Sequence, residues 1–147
     1  MSTDSIFSQP RLAVLVSTAI VGGLIAIYSV AMAAESKVML SGAQEVPAVT
    51  TAAKGNGTIT IGDDKTVSGS VTTSGVVGTV AHIHEGLAGK NGPPIITLEK
   101  KGENQWMVPA NAKLTDAQYQ AYKAGNLYVN VHSAAHKGGE IRDQLKP

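Results

Sequence analysis

All four histidines of this 147-residue chain fall in two short stretches, Ala81-His82-Ile83-His84 and Val131-His132-Ser133-Ala134-Ala135-His136. On a β-strand, side chains alternate between faces. His82 and His84 therefore share one face, about 7 Å apart along the strand, with Ile83 on the other. In the second stretch Leu127, Val129 and Val131 form one face, and Tyr128, Asn130 and His132 the opposite one. The small residues after His132 are expected to fold His136 back beside it, and the gap between the two is a common metal-ligand spacing. Four neutral imidazoles converging on one ion suit Cu(II) or Zn(II). Copper is expected ahead of zinc, because closed structural zinc sites commonly include a thiolate or carboxylate. Glu85, Glu140 and Asp143 stand close to the histidines in sequence, and are expected to orient imidazole N–H groups or to supply a direct ligand. The competing reading has the histidines as polar strand-end residues bonded to backbone. A lone histidine would favour it, but two pairs favour a metal.

Other chemistry is poorly represented. Ser133 lacks the G-x-S-x-G surroundings of a nucleophile elbow. Gly86, Gly89 and Gly92 are followed by no G-K-[ST], so they do not form a phosphate loop. Nothing in the sequence joins Glu85 and Glu140 into an acid–base pair, and no catalytic residue is assigned. Trp106 and Tyr128 are expected in core or rim packing, and Arg142 is expected to pair with Asp143.

Composition narrows the class further. Twelve Lys plus Arg against 11 Asp plus Glu give a formal charge of +1, without the basic excess of a nucleic-acid binder. The absence of cysteine excludes disulfides, iron–sulfur clusters, thiolate zinc sites and a cysteine nucleophile. The fold must hold through packing or a bound metal. Residues 12–30 form an uncharged, largely apolar run after Arg11, and Ala31-Met32-Ala33 follows as a small–x–small cleavage site. Residues 1–33 are therefore expected to be a signal peptide, or alternatively a membrane anchor if uncleaved. A single domain is expected over 34–147, in a periplasmic or secreted location.

These histidines need elements to position them. Short alternating segments separated by glycine turns predict an all-β, Greek-key-like antiparallel sandwich or barrel. Strands are expected over 37–40 and 45–49 (one irregular strand broken at Ser41-Gly42), 58–61, 66–73, 79–84, 95–99, 105–108, 127–132 and 139–145. One short crossover helix is expected over 116–124, because Thr115-Asp116-Ala117-Gln118 reads as a capping box and Gly125 as its terminator.

Three motifs carry a family resemblance. They are Leu40-Ser41-Gly42-Ala43-Gln44-Glu45-Val46-Pro47, Ala81-His82-Ile83-His84-Glu85-Gly86, and Leu127-Tyr128-Val129-Asn130-Val131-His132 with Gly138-Gly139-Glu140-Ile141-Arg142. Together, from about Lys37 to Leu145, they resemble the CHRD domain, named for its occurrence in chordin. Ala48 stands where a second proline often follows the first motif. The resemblance implies an exported domain and no established activity. His82-Ile83-His84-Glu85 is also locally similar to the H-x-H-E strand of Cu/Zn superoxide dismutase, with only His82 and His84 matching that motif.

The leading expectation is an exported protein that binds copper through His82, His84, His132 and His136 for storage, buffering or delivery. One alternative is a copper oxidoreductase of dismutase type. Another is a metal-independent extracellular interaction module. The expected partners are a metal ion and either a second copy of the chain, with the site shared across the dimer interface, or a further protein.

Overall fold

The computed structural model describes residues 33–147. The expected signal segment lies outside them, save for Ala33 at its end. Among the described residues no helix is long and apolar enough to cross a membrane.

Among the described residues nine antiparallel strands form one sheet: β1 (Ala33–Ser41), β2 (Lys54–Gly62), β3 (Val67–Ser74), β4 (Gly78–Glu85), β5 (Pro94–Thr97), β6 (Glu99–Lys100), β7 (Gln105–Met107), β8 (Leu127–Ser133) and β9 (Ile141–Gln144). Their order is β5-β4-β8-β9-β1-β2-β3-β7-β6. The two outermost strands, β5 and β6, are separated in sequence by Leu98 alone, so the sheet curls almost completely into a barrel. Leu98 is buried at that seam and its N–H donates to the Ala81 carbonyl at 2.9 Å. Near-closure leaves little unpaired strand edge.

Alternation sorts the side chains between inside and outside. Val38, Leu40, Ile59, Ile61, Val71, Ala81, Ile83, Leu127, Val129, Val131 and Ile141 fill the interior with Trp106. Every residue of β8 is buried, including Tyr128, Asn130 and His132 on its outer face. Buried polar side chains demand partners, which makes this outer face the informative surface of the molecule.

The expected helix is present as α1 (Asp116–Lys123). The Gln118 N–H donates to Thr115 Oγ1 at 3.2 Å, and the Gln118 side chain accepts from the Thr115 N–H at 2.9 Å. Such a cap stabilises by about 1 kcal/mol. At the other end the Gly125 N–H bonds the Tyr122 carbonyl and the Asn126 N–H bonds that of Ala121, with Gly125 at φ +75°. This is the Schellman arrangement that glycine makes accessible.

Three strand expectations need correction. Residues 95–99 divide at Leu98 into β5 and β6, at opposite edges of the sheet. Residues 45–49 are not strand. The chain leaves β1 through a 3-10 turn, Gly42–Gln44, in which the Gly42 carbonyl accepts from both Glu45 and Val49. β2 begins at Lys54 rather than at residue 58, because its paired positions opposite Leu40 and Val38 are Gly55 and Gly57. Glycine at inward-facing positions removes the apolar alternation by which a strand is recognised.

Candidate metal centre

β4 and β8 pair in antiparallel register, with His82 opposite Asn130, His84 opposite Tyr128 and His132 opposite Val80. The core takes Ala81, Ile83, Val129 and Val131, so alternation forces the three histidines onto the outer face. Ring centroids lie 5.3 Å apart for His82–His84, 5.0 Å for His82–His132 and 5.8 Å for His84–His132. One nitrogen from each falls within 4.8 Å of the others. His84 and His132 are buried and His82 is half-buried.

Backbone carbonyls fix the tautomers. His84 Nδ1 lies 2.9 Å from the Gly92 carbonyl oxygen, and His132 Nδ1 lies 2.9 Å from that of Lys137. A carbonyl oxygen only accepts, so in the neutral rings both Nδ1 atoms carry the proton and both Nε2 atoms keep a lone pair. The His84 Nε2 is buried with no hydrogen-bond partner. The His132 Nε2 stands 3.1 Å from His82 Nδ1. Two nitrogens bound to one ion at 2.0–2.1 Å are separated by about 2.9–3.4 Å for angles from square to tetrahedral. The 3.1 Å spacing fits that range. It is also a hydrogen bond when His82 Nδ1 is protonated.

A stack supports His84 from below. Its ring lies 4.7 Å from that of Tyr128 at an interplanar angle of 8°, and the Arg142 guanidinium carbon sits 3.4 Å from the same Tyr128 ring. β4 and β9 flank β8, so His84 and Arg142 approach Tyr128 from opposite sides. Arg142 also donates to the Lys90 carbonyl at 2.8 Å and to Asn91 Oδ1 at 3.2 Å. The Gly92 N–H donates to the Tyr128 hydroxyl at 3.1 Å. Residues 86–92 are thereby fastened over the outer face, and they deliver the carbonyl that holds His84.

The remaining expected residues are placed elsewhere. The turn after His132 does fold back, but it brings the Lys137 carbonyl, not the His136 ring, to His132. His136 is half-buried and lines an adjoining cleft of about 400 Å³ with Glu45, Asn91 and Gly139. Glu140 accepts from the Thr51 hydroxyl at 2.8 Å. Asp143 accepts from the Met39 N–H at 2.7 Å and from the Gln44 amide at 2.9 Å, bridging β1 to β9. Among the described residues no carboxylate, that of Glu85 included, is hydrogen-bonded to an imidazole. The orienting role expected of Glu85, Glu140 and Asp143 thus falls to backbone carbonyls. The expected Arg142–Asp143 pair is absent as well, since consecutive strand residues point to opposite faces.

Sequence reasoning also missed Glu45. Its carboxylate is buried beside the Asn130 amide, which donates to it. Burial raises its pKa from 4.5 to about 7, against the opposing pull of the Arg142 charge. Burial lowers the pKa values of His82 and His84 below 6.5, and the neighbouring imidazoles add to that. These groups tilt the stability of the metal-free domain in opposite directions. The unfolded chain binds more protons at the histidines below 6.5, so their contribution is complete above that pH and is lost as pH falls through the folded values. Glu45 instead contributes fully below 4.5, and its contribution is lost as pH rises through about 7. Glu45→Gln removes the opposing slope. Urea denaturation of the metal-free protein is expected to show stability climbing more steeply between pH 4.5 and 7 in the variant than in the parent. Equal slopes would contradict the assignment.

In a comparison with protein families, the family model of the CHRD domain matches residues 36–145. Comparisons with curated proteins and with solved structures yield no match.

Proposed function

The chain belongs to the CHRD domain family, and from that premise we propose that it is an exported copper-binding domain that stores, buffers or delivers the metal. The observation that carries this reading is the convergence of His82, His84 and His132, one ring nitrogen of each within 4.8 Å of the others, with His84 and His132 held in the tautomer that leaves Nε2 free by backbone carbonyls. Neutral imidazole is the form that binds metal, and the lowered pKa values of His82 and His84 favour it at neutral pH. An imidazole set without thiolate suits Cu(II) ahead of Zn(II) here, though either ion is compatible with it. Export draws its support from the uncharged run at 12–30 and the Ala31-Met32-Ala33 cleavage pattern.

Variants separate the three clustered histidines from the fourth. Changing His82, His84 and His132 together to alanine is expected to abolish stoichiometric Cu(II) binding by isothermal titration. His136→Ala is expected to retain it within about threefold, well inside the roughly 10–100-fold that follows even the loss of an orienting partner. Undiminished binding in the triple variant would refute the reading.

A further inference from the structure

Asn130 adjoins the histidine cluster on the same outer face. It is directly opposite His82 across the β4–β8 ladder and two residues before His132 on the same face. At 2% exposure it is more deeply buried than His84 or His132. Its Nδ2 donates to Glu45 Oε1, which assigns the amide nitrogen to Glu45. Its Oδ1 is left buried and without a hydrogen-bond donor. The amide packs against Gly139, where an added Cβ would lie 2.4 Å from Nδ2 and 2.8 Å from Oδ1.

Two of the buried side-chain atoms without a partner, Asn130 Oδ1 and His84 Nε2, therefore belong to this one outer face. Both are acceptors in these states, and neither can satisfy the other. Two lone pairs with no proton to share are instead complementary to a cation. We propose that Asn130 supplies the metal's fourth donor through Oδ1, completing a set of three imidazole nitrogens and one amide oxygen. Glu45 is then a positioning residue: by taking the amide N–H it leaves the oxygen free for the metal. Mixed nitrogen and oxygen donors are the ligands of tetragonal Cu(II), and the harder oxygen favours Cu(II) over Cu(I). This inference rests on the three-histidine reading.

The test uses Cu(II) and Zn(II) salts with the intact protein. Asn130→Leu removes the donor at similar volume. It is expected to weaken Cu(II) binding by about tenfold or more, to keep the imidazole couplings in the electron paramagnetic resonance spectrum, and to change g∥ and A∥. Wild-type protein titrated with Zn(II) supplies a readout independent of that variant's folding. The Asn130 side-chain amide pair is expected to shift in 15N–1H correlation spectra and to stop moving at one equivalent. Wild-type affinity and spectrum in Asn130→Leu would overturn the proposal, as would an unmoved Asn130 amide while imidazole signals respond; in both cases the histidine site survives. Failure of the wild-type protein to take up either metal would overturn both readings.

Discussion

Gly92→Ala is expected to destabilise the domain by about 3 kcal/mol, the upper end of what overpacking costs, and to weaken copper binding by about 10–100-fold. Residue 92 contributes no side chain to the site. An added Cβ there would lie 1.7 Å from the Glu85 carbonyl oxygen and 2.7 Å from its carbon, and backbone atoms cannot rotate away as a flexible side chain can. The loop must move, and three contacts move with it. The Gly92 carbonyl leaves His84 Nδ1, the Gly92 N–H leaves the Tyr128 hydroxyl, and the Glu85 N–H bond to the Pro93 carbonyl is strained. Without its carbonyl anchor, His84 can protonate Nε2 instead of Nδ1 and present no lone pair to the metal. Chemical denaturation measures the first effect and competitive chelation the second. Parental values in both would show that the loop does not set the His84 tautomer.

Arg142→Ala should have a comparable effect through different atoms. The guanidinium is almost wholly buried yet faces no carboxylate at salt-bridge distance among the described residues. Its partners are the Lys90 carbonyl, the Asn91 amide oxygen and the Tyr128 ring, with a longer contact to the Leu87 carbonyl. Truncation removes two hydrogen bonds from a charged donor, each worth about 1.5–3 kcal/mol, so a loss of about 3 kcal/mol or more is expected. The 86–92 loop should become accessible to limited proteolysis, and copper affinity should fall about tenfold as His84 loses both the stack and the carbonyl. Arg142→Lys is not expected to rescue, because an ammonium cannot lie flat on Tyr128 while reaching two acceptors in its own plane. Full rescue by lysine would mean that charge alone matters at this position.

The difference between what was legible and what was not lies in the physics of each residue. Period-two alternation suffices to put His82 and His84 on one face and His132 with Tyr128 and Asn130 on another, and the ladder then joins the two faces. The same alternation, applied to Arg142 and Asp143, rules out their pairing. His136 was not legible, because the direction in which a turn of small residues returns depends on its closure. Here the His136 N–H bonds Ser133 Oγ, and the His136 carbonyl accepts from Gly139. The ring anchors were invisible in sequence for a simpler reason. Every residue has a carbonyl, so nothing marks Gly92 or Lys137 as an imidazole partner. Glu45 lay hidden because burial, not sequence proximity, makes it part of the surroundings of Asn130.

The barrel shows the same division. Alternating strands and the capping box of α1 could be read directly. The start of β2 is not legible because Gly55 and Gly57 occupy inward-facing positions, and closure through Leu98 is a property of the whole sheet.

Metal content tests the central claim most directly. Protein equilibrated with equal Cu(II) and Zn(II), then freed of unbound ions, is expected to carry one copper per chain by mass spectrometry. Its Cu(II) electron paramagnetic resonance spectrum should show couplings to three imidazole nitrogens. Protein with no stoichiometric metal, or a spectrum unchanged when His82, His84 and His132 are replaced, would contradict the account.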